Sequence, residues 1–326
     1  MIDFELPDEL IAQIPASPRD SARLLVYSRA TQKIHDVVFS DILDYLPKDT
    51  TLVVNNSKVE ECRWLFADGK TEIFVLEKLD TCTIRGLVRP GKKFRMSQKT
   101  QINDWLDVQT TAIDDDGIRT IHLSVPHDDE RLKAFEHIPL PPYIKQDDSL
   151  KDEYQTVYAK PLGSKAAPTA GLHFTDELLD NISASHDVAE LTLHVGLGTF
   201  AKLTDELLKS GRLHKESYEI SAKTADILNA ASHRTAVGTT SVRTLESAWM
   251  AEGYKAVVSD TSILIQPGYT YKAVDALITN FHLPGTSLLL LVETFVGNKA
   301  ELQRIYNHAI QEKYRFYSFG DAMLIL

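Results

Sequence analysis

Short apolar runs separated by turn-forming residues dominate the first part of the chain. The runs at 24–27 and 51–54 predict strands, and the segment 41–46 predicts a single helical turn. From about residue 64 to residue 126, β-like runs follow one another without a long amphipathic helix, at 71–79, 83–88, 106–113 and 118–125. The residues Asp115-Asp116-Gly117 between the last two runs predict a hairpin turn. This middle region is therefore predicted to be a small all-β unit, either a barrel or a sandwich.

Helix and strand patterns alternate in the second half of the chain. Helices are predicted at 175–182, with Thr175 as N-cap, and at 224–233, 241–252 and 299–314. Strands are predicted at 188–195 and 235–238. The final apolar run, 322–326, is typical of a strand that is covered on both faces. The sequence thus predicts an α/β catalytic domain with a mixed sheet, built from residues 1–60 and 145–326, with an inserted barrel-like all-β domain at 61–144.

Composition narrows the class of protein. A length of 326 residues is typical of about two domains. A composition with 43% hydrophobic and 25% charged residues excludes general disorder. The longest apolar run, near 288–292, is too short to span a membrane, and the first residues lack the pattern of a signal peptide. Two cysteines make a disulfide framework or a cysteine-rich zinc site unexpected, so a cytoplasmic location is predicted.

Charge is distributed unevenly. A net charge of −11 argues against a nonspecific nucleic-acid binder, yet the segment 81–102 carries six basic residues and no acidic one. The six are Arg85, Arg89, Lys92, Lys93, Arg95 and Lys99. This segment is either a surface that faces phosphates or a solvated loop and strand edge.

Two histidines stand in glycine-containing loops. His173 follows Thr169 and Gly171 just before a predicted helix, where it is either an acid or base or a structural residue. His194 ends a predicted strand and precedes Gly196 and Gly198, which would let a ligand approach the backbone. The loop lacks the complete Gly-x-Gly-x-x-Gly fingerprint, so a dinucleotide cofactor is not indicated.

A third histidine forms part of a spaced pair. His214 and Glu216 are two residues apart and would share one side of a strand. The carboxylate would raise the pKa of the imidazole and create a proton-transfer pair. An ordinary surface salt bridge explains the same spacing.

Two further loops carry hydroxyl, amide and guanidinium groups. Thr239, Ser241 and Arg243 follow a predicted strand, where the hydroxyls either cap a helix or hold a ribose or carboxylate. Asn280 and His282 share one face of the segment 279–287. The sequence contains no zinc-binding histidine pair, no nucleophile elbow and no phosphate loop. These absences disfavour zinc enzymes, classical serine hydrolases and P-loop kinases.

Taken together, these motifs resemble the S-adenosylmethionine:tRNA ribosyltransferase-isomerase family of queuosine biosynthesis. The likeness extends in order over nearly the whole chain, through the segments 4–23, 89–93, 154–158, 166–175, 192–200, 214–218, 236–247, 267–269, 275–284 and 314–326. The family implies an α/β domain with an inserted β-barrel, in agreement with the hydrophobic pattern.

The resemblance also implies an activity. The ribosyl unit of S-adenosylmethionine is moved onto 7-aminomethyl-7-deazaguanine at the tRNA wobble position and isomerised, giving epoxyqueuosine, adenine and methionine. S-adenosylmethionine is a co-substrate here, and neither a cofactor nor a metal is expected. The expected partners are S-adenosylmethionine and the modified tRNA, without a membrane, and the protein is expected to be a monomer.

The resemblance suggests roles for the candidate residues. His173, His194, His214 and Glu216 would supply acid–base groups. The S-adenosylmethionine site would contain Thr169, Gly171, Gly196, Gly198, Thr239, Ser241, Arg243, Asn280 and His282. The basic residues Arg85, Arg89, Lys92, Lys93, Arg95 and Lys99 would contact tRNA phosphates.

One stretch departs from the family pattern. Family members usually carry Asn-Asp/Asn-Thr-Arg-Val where this chain has Asn55-Asn56-Ser57-Lys58-Val59, followed by Glu60 and Glu61. Lysine keeps the positive charge of arginine but loses its planar fork. Two alternatives therefore stand beside the main interpretation: a paralogue that binds S-adenosylmethionine or tRNA without turnover, and an enzyme that uses another amine acceptor.

Overall fold

The computed structural model describes residues 2–67, 69–196, 198 and 203–326. Contacts along the chain define two compact units, one formed by Met1–Lys58 with Leu140–Leu326 and the other by Val59–Pro139. The domain boundaries near 60 and 145, and the insertion of one domain into the other, stay predictions.

The described residues contain the following strands and α-helices. The strands are β1 Arg23–Tyr27, β2 Ile34–Val38, β3 Thr50–Asn55, β4 Lys58–Val59, β5 Arg63–Phe66, β6 Thr71–Asp80, β7 Thr83–Arg89, β8 Lys99–Gln101, β9 Asp107–Ile113, β10 Arg119–Leu123, β11 Glu136–His137, β12 Leu162–Ser164, β13 Val188–Leu193, β14 Arg212–Ile220, β15 His233–Val237, β16 Val257–Ile263, β17 Ala276–Asn280 and β18 Ala322–Ile325. The helices are α1 Asp176–Ser183, α2 Asp205–Ser210, α3 Ala222–Ala230, α4 Gly238–Ala248, α5 Ser287–Val296 and α6 Lys299–Gln311.

The larger unit is built around a mixed sheet. Within the described ranges it has nine strands in the order β16-β14-β13-β3-β15-β17-β18-β1-β2. The four strands β13, β3, β15 and β17 are parallel to one another, whereas β18 runs antiparallel to β17 and parallel to β1. The amino-terminal strands thus share a sheet with the carboxyl-terminal ones, and the predicted mixed α/β architecture is confirmed.

The buried strands explain this order. Every residue of β3 and of β18 is buried, as expected for central strands that are covered on both faces.

Helix α1 begins after Thr175, whose hydroxyl accepts a hydrogen bond from the Leu178 backbone, as the sequence predicts. Helix α6 buries the apolar positions Leu302 and Ile305 against the core of this unit.

The smaller unit is an antiparallel sheet. Among its described residues the order is β11-β5-β6-β7-β10-β9-β8, and each neighbouring pair is antiparallel. Its own core includes Trp64, Ile84 and Ile121. Gly117, with φ +81°, closes the predicted hairpin turn between β9 and β10. The prediction of an all-β region is therefore confirmed.

Several helices differ from the sequence prediction, and two of them, α2 and α5, were not predicted. Helix α4 begins at Gly238, three residues before the predicted start, so the hydroxyl residues lie inside it. Helix α5 was not predicted, because eight of its ten residues are buried and it lacks the polar face that reveals an amphipathic helix. No helix in the described part of the chain is both long and apolar enough to cross a membrane.

Candidate active site

The candidate chemistry collects at one edge of the larger sheet. Asn55 is the last residue of β3, His194 directly follows β13, Gly238 directly follows β15 and Asn280 is the last residue of β17. Because these four strands are parallel, their carboxyl ends meet at the same edge. Ligand sites of open α/β sheets are found at that edge.

Glu216 and Arg243 form a buried ion pair there. The Glu216 Oε2 atom accepts a hydrogen bond from Arg243 Nη1, and both side chains are about 5% exposed. The other carboxylate oxygen, Oε1, accepts from the backbone nitrogen of Gly196 at 2.8 Å. Three predicted site residues from β14, α4 and the loop after β13 are thus brought together.

Part of the Arg243 guanidinium has no hydrogen-bond partner among the described residues. Its Nε and Nη2 atoms are buried and make no hydrogen bond with any described residue. These two nitrogens form one side of the planar fork, which is the geometry that binds a carboxylate through two parallel hydrogen bonds. A carboxylate is therefore the group that this side of the guanidinium matches in geometry.

The structure gives His214 and Glu216 different environments. His214 is exposed, whereas Glu216 is buried. The pairing of β14 with β16 shifts register between Arg212 and Glu216, so regular alternation does not extend back to His214. His214 instead lies beside Gly198, where an added Cβ would stand 3.1 Å from His214 Cδ2. The salt-bridge partner of Glu216 is Arg243.

His194 lies over a glycine that sequence analysis did not select. A Cβ on Gly163 would come within 2.8 Å of His194 Nδ1, and Gly163 has a φ of +148°, which other residues rarely adopt. The His194 backbone nitrogen donates to the Ser217 carbonyl at 3.0 Å. Gly163 therefore makes room for the imidazole ring at the end of β13.

His173 is buried and contacts Asn280. Burial, followed by the positive charges of Arg315 and Arg19, lowers the pKa of His173 to about 3. Its Nε2 atom lies 3.1 Å from Asn280 Nδ2. An amide nitrogen only donates, so Nε2 is the acceptor in this contact and the ring is neutral near pH 7. The environment of His173 therefore suits a neutral, hydrogen-bonding side chain better than a charged acid.

A small cavity adjoins this pair. It has a volume of about 50 Å³. Four of the predicted S-adenosylmethionine-site residues line it: Thr169, Thr239, Asn280 and His282. Burial lowers the pKa of His282 to about 4, and its Nε2 atom lies 2.9 Å from Thr279 Oγ1.

The remaining predicted residues have protein partners. The Ser241 hydroxyl donates to the Val237 carbonyl at 2.7 Å, and no side chain caps the start of α4. A Cβ on Gly171 would come within 2.0 Å of the Tyr158 hydroxyl, so Gly171 makes room for that protein side chain.

The predicted tRNA-binding residues lie in the smaller unit and fall into two groups. Three are in ion pairs: Arg85 with Glu77 and Asp114, Arg89 with Glu72, and Lys99 with Asp107. Lys93 donates to Thr71 Oγ1 at 2.9 Å. Lys92 and Arg95 are exposed and make no ion pair within the described ranges. The free positive charge is therefore smaller than the sequence suggests.

The stretch that departs from the family pattern starts with a structural residue. Asn55 Oδ1 accepts from the backbone nitrogens of Leu193 and Ser57, and Asn55 Nδ2 donates to the Leu193 carbonyl at 3.0 Å. Asn55 thus fastens the end of β3 to the end of β13. The Lys58 side chain is exposed. In the glycine loop 192–200, Leu197, Thr199 and Phe200 lie outside the described residues.

Sequence reasoning missed three residues of this region besides Gly163. Thr240, Tyr143 and Tyr317 also line the cavity. Thr240 lies between the predicted residues Thr239 and Ser241, but nothing in the sequence distinguishes its environment from that of its neighbours. The described residues contain no group of three or more histidine, cysteine or acidic side chains that could hold a metal ion.

Comparisons with known proteins support the family resemblance that the motifs indicate. A family model described as queuosine biosynthesis protein matches residues 1–325. An S-adenosylmethionine:tRNA ribosyltransferase-isomerase from Thermotoga petrophila is 44% identical over 333 residues, which cover 99% of this chain and 98% of the relative. A protein of the same name from Clostridium kluyveri is 43% identical over 335 residues, with the same coverage.

A solved structure is also similar. The crystal structure of an S-adenosylmethionine tRNA ribosyltransferase from Thermotoga maritima is 36% identical in sequence, with a TM-score of 0.58 and 99% of each chain covered. The resemblance inferred from the motifs is thereby confirmed: the chain belongs to the S-adenosylmethionine:tRNA ribosyltransferase-isomerase family of queuosine biosynthesis proteins, a family of enzymes.

Proposed function

We propose that this enzyme transfers and isomerises the ribosyl unit of S-adenosylmethionine onto 7-aminomethyl-7-deazaguanine at the tRNA wobble position. The products are epoxyqueuosine in tRNA, adenine and methionine. S-adenosylmethionine is consumed, and the reaction needs no cofactor. We place it in the cytoplasm, with the protein acting as a monomer.

The observation that carries this proposal is the buried Arg243 fork beside Glu216. Within the described residues, Arg243 Nε and Nη2 have no partner, and a carboxylate is the group that matches them. The methionine part of S-adenosylmethionine bears such a carboxylate. Glu216 binds the guanidinium through Nη1 and ties it to the loop at Gly196, which leaves Nε and Nη2 for the substrate carboxylate.

The bond changes define what the site must do. A base removes a proton next to the sulfonium, and the bond from C5′ to sulfur breaks with its electron pair returning to sulfur, which releases neutral methionine thioether. The bond from C1′ to adenine breaks, and adenine takes up a proton. In exchange, the former ribosyl carbons make three new bonds. C4′ bonds to the aminomethyl nitrogen, which loses a proton, and C5′ bonds to C1′, which closes the carbocycle. The former ring oxygen, released from C4′, bonds to C5′ as the sulfur leaves, which closes the epoxide. Each step requires a proton donor or acceptor close to the sugar.

His194 is the best candidate for the base. It stands at the carboxyl end of β13, is only partly buried and belongs to the same loop as Gly196, which contacts Glu216. His173 is the weaker candidate, because burial lowers its pKa to about 3 and makes the ring a poor proton acceptor. His214 remains a candidate acid, since it lies beside Gly198 at the other end of that loop.

Adenine release tests the proposal. The purified protein is mixed with S-adenosylmethionine and tRNA that carries 7-aminomethyl-7-deazaguanine, and adenine is quantified by chromatography. The matched control is the same tRNA with unmodified guanine at the wobble position. Adenine formed only with the modified tRNA supports the proposed reaction.

The altered stretch around Lys58 motivates the alternative of a paralogue with a different acceptor or no turnover. Binding of both substrates without adenine release would favour that alternative. Adenine release with another amine acceptor but not with the modified tRNA would favour a retargeted enzyme.

A further inference from the structure

The cavity beside Asn280 has an unusual chemical lining. It lies between the end of β17, the start of α4 and the segment that contains Thr169. None of the described residues that line it is an aspartate, glutamate, lysine or arginine. Because an isolated charge is costly to bury, such a lining disfavours a carboxylate, ammonium or sulfonium group and favours a neutral polar ring.

Two buried polar atoms of the lining have no hydrogen-bond partner in the part of the chain that the structure describes. Asn280 Oδ1 and Thr240 Oγ1 make no hydrogen bond with any described residue, although the two residues are only 2% and 6% exposed. Buried polar atoms in folded proteins are nearly always paired. The cavity therefore offers one carbonyl acceptor, and one hydroxyl that can either donate or accept.

His173 determines which atom of the Asn280 amide remains available. The neutral imidazole accepts a hydrogen bond from Asn280 Nδ2, so that nitrogen is already occupied. With the proton of the neutral ring on Nδ1, rotation of the amide would place two acceptors, Asn280 Oδ1 and His173 Nε2, against each other. His173 is thus a positioning residue that leaves Asn280 Oδ1 for a ligand.

An aromatic pair forms another part of the lining. The rings of Tyr143 and Tyr317 have centroids 4.8 Å apart, and both residues line the cavity. Tyr317 adopts a φ of +72°, a costly conformation for an aromatic residue that tends to persist at functional sites. Its backbone nitrogen donates to the Phe281 carbonyl at 3.1 Å, which holds the segment beside β17.

We infer that this cavity receives the adenine base of S-adenosylmethionine. Asn280 Oδ1 accepts a hydrogen bond from the exocyclic amine, and Thr240 Oγ1 donates one to N7. Asparagine and adenine make this type of contact at the same base edge in nucleic-acid complexes. At the same edge a guanine base presents only the acceptors O6 and N7, which would leave Asn280 Oδ1 without a donor. The inference rests on the proposed function, which supplies adenine as part of the substrate.

Free bases test the inference without turnover. The full chain is titrated calorimetrically with adenine, with hypoxanthine, which has an oxygen in place of the amine, and with 7-deazaadenine, which lacks N7. We expect the wild type to bind adenine roughly tenfold or more tightly than either analogue, because each analogue leaves a buried group unpaired.

Two variants connect each preference to one residue. Asn280→Ala should reduce the preference for adenine over hypoxanthine to about one, and Thr240→Val should do the same for adenine over 7-deazaadenine. Thr111→Val, in strand β9 of the smaller unit, removes a hydroxyl elsewhere and should keep both preferences. Because the base analogues probe the wild type, the test survives even if Asn280→Ala fails to fold.

Several results would overturn the inference. One is equal binding of the three bases by the wild type, and another is a preference that persists in both variants. Tighter binding of 7-aminomethyl-7-deazaguanine than of adenine, lost in Asn280→Ala, would assign the cavity to the acceptor base instead.

The test of the adenine subsite and the test of the proposed reaction can fail independently of each other. Adenine release from modified tRNA with unchanged base preferences in the variants would refute the adenine subsite alone. Base preferences that depend on Asn280 and Thr240, without any adenine release, would refute the reaction alone.

Discussion

Glu216 in β14 and Arg243 in α4 neutralise each other in the interior of the larger unit. Each side chain is about 5% exposed, and Glu216 also accepts from the Gly196 backbone. The pair therefore links a strand, a helix and the loop that follows β13. Removal of one partner from such a pair leaves an uncompensated buried charge.

Glu216→Ala should strongly destabilise the protein. We expect the free energy of unfolding to fall by roughly 3–5 kcal/mol, because Arg243 would lose its charge partner in a buried position. Urea denaturation monitored by circular dichroism measures this change. Glu77→Ala, which removes a partner from an exposed ion pair with Arg85, should have little effect. Equal effects of the two substitutions would contradict the role given to the buried pair.

Arg243→Lys should weaken the binding of S-adenosylmethionine. Lysine keeps the charge but cannot supply two parallel hydrogen bonds to a carboxylate. The loss should be roughly 10- to 100-fold, as for hydrogen bonds to a charged group. Equilibrium binding of S-adenosylmethionine to the wild type and the variant measures it.

Decarboxylated S-adenosylmethionine provides the control for Arg243. It should bind the wild type more weakly than S-adenosylmethionine does, and the variant should discriminate much less between the two. If the variant keeps the full wild-type discrimination, Arg243 does not contact the carboxylate. If it loses affinity for tRNA instead, the fork serves a phosphate.

His194→Ala should abolish turnover and leave folding intact. The ring is partly exposed at the end of β13, so its loss removes the candidate base without opening the core. Adenine release and thermal unfolding are measured in parallel. His35→Ala, an exposed histidine in the edge strand β2, is the matched control and should retain activity. Near-normal turnover by His194→Ala would refute its assignment as the base.

Acid should destabilise the protein through its buried histidines. The pKa values of about 3 for His173 and about 4 for His282 lie below the value of about 6.5 in an unfolded chain. Between these values the unfolded state binds more protons, so the free energy of unfolding decreases as pH falls below about 6.5. Each histidine contributes about 1.4 kcal/mol per pH unit within that window.

His173→Gln isolates this contribution. Urea denaturation at pH 7.5, 6 and 5 should show a smaller loss of stability for the variant than for the wild type. His35→Gln should keep the wild-type dependence, because His35 is exposed. An unchanged pH dependence in His173→Gln would show that His173 is not kept neutral by the fold.

Lys92 and Arg95 should contribute more to tRNA binding than Arg85 and Lys99. The first two make no ion pair with a described residue, whereas the latter two already contact acidic groups. Lys92→Gln with Arg95→Gln should weaken tRNA binding and reduce the salt slope by roughly 1 for each lost phosphate contact.

The double variant Arg85→Gln with Lys99→Gln has the same nominal change of charge and should have a smaller effect. Filter binding at several salt concentrations measures both variants. A larger effect of the ion-paired set would reverse the prediction.

Local patterns in the sequence determined the element types and the family. The apolar runs of β1, β3 and β18, the Thr175 cap of α1 and the hairpin turn at Gly117 depend on neighbouring residues, and all are confirmed. The ordered motifs were equally local, and they were sufficient to identify the family. Helix α5 was missed because its buried residues show no polar face from which a period can be read.

Only the tertiary structure decided which polar groups meet. The pairs Glu216 with Arg243 and His173 with Asn280 are 27 and 107 residues apart along the chain, and no sequence spacing predicts them. The expected partner of Glu216, His214, is exposed because a register shift in β14 interrupts the alternation between them. Burial likewise sets the low pKa of His173, since desolvation depends on everything packed around the ring. The partner, the burial and the pKa of a side chain all depend on residues that are distant in the sequence. Local patterns therefore identified the candidate residues, whereas the fold decided their chemistry.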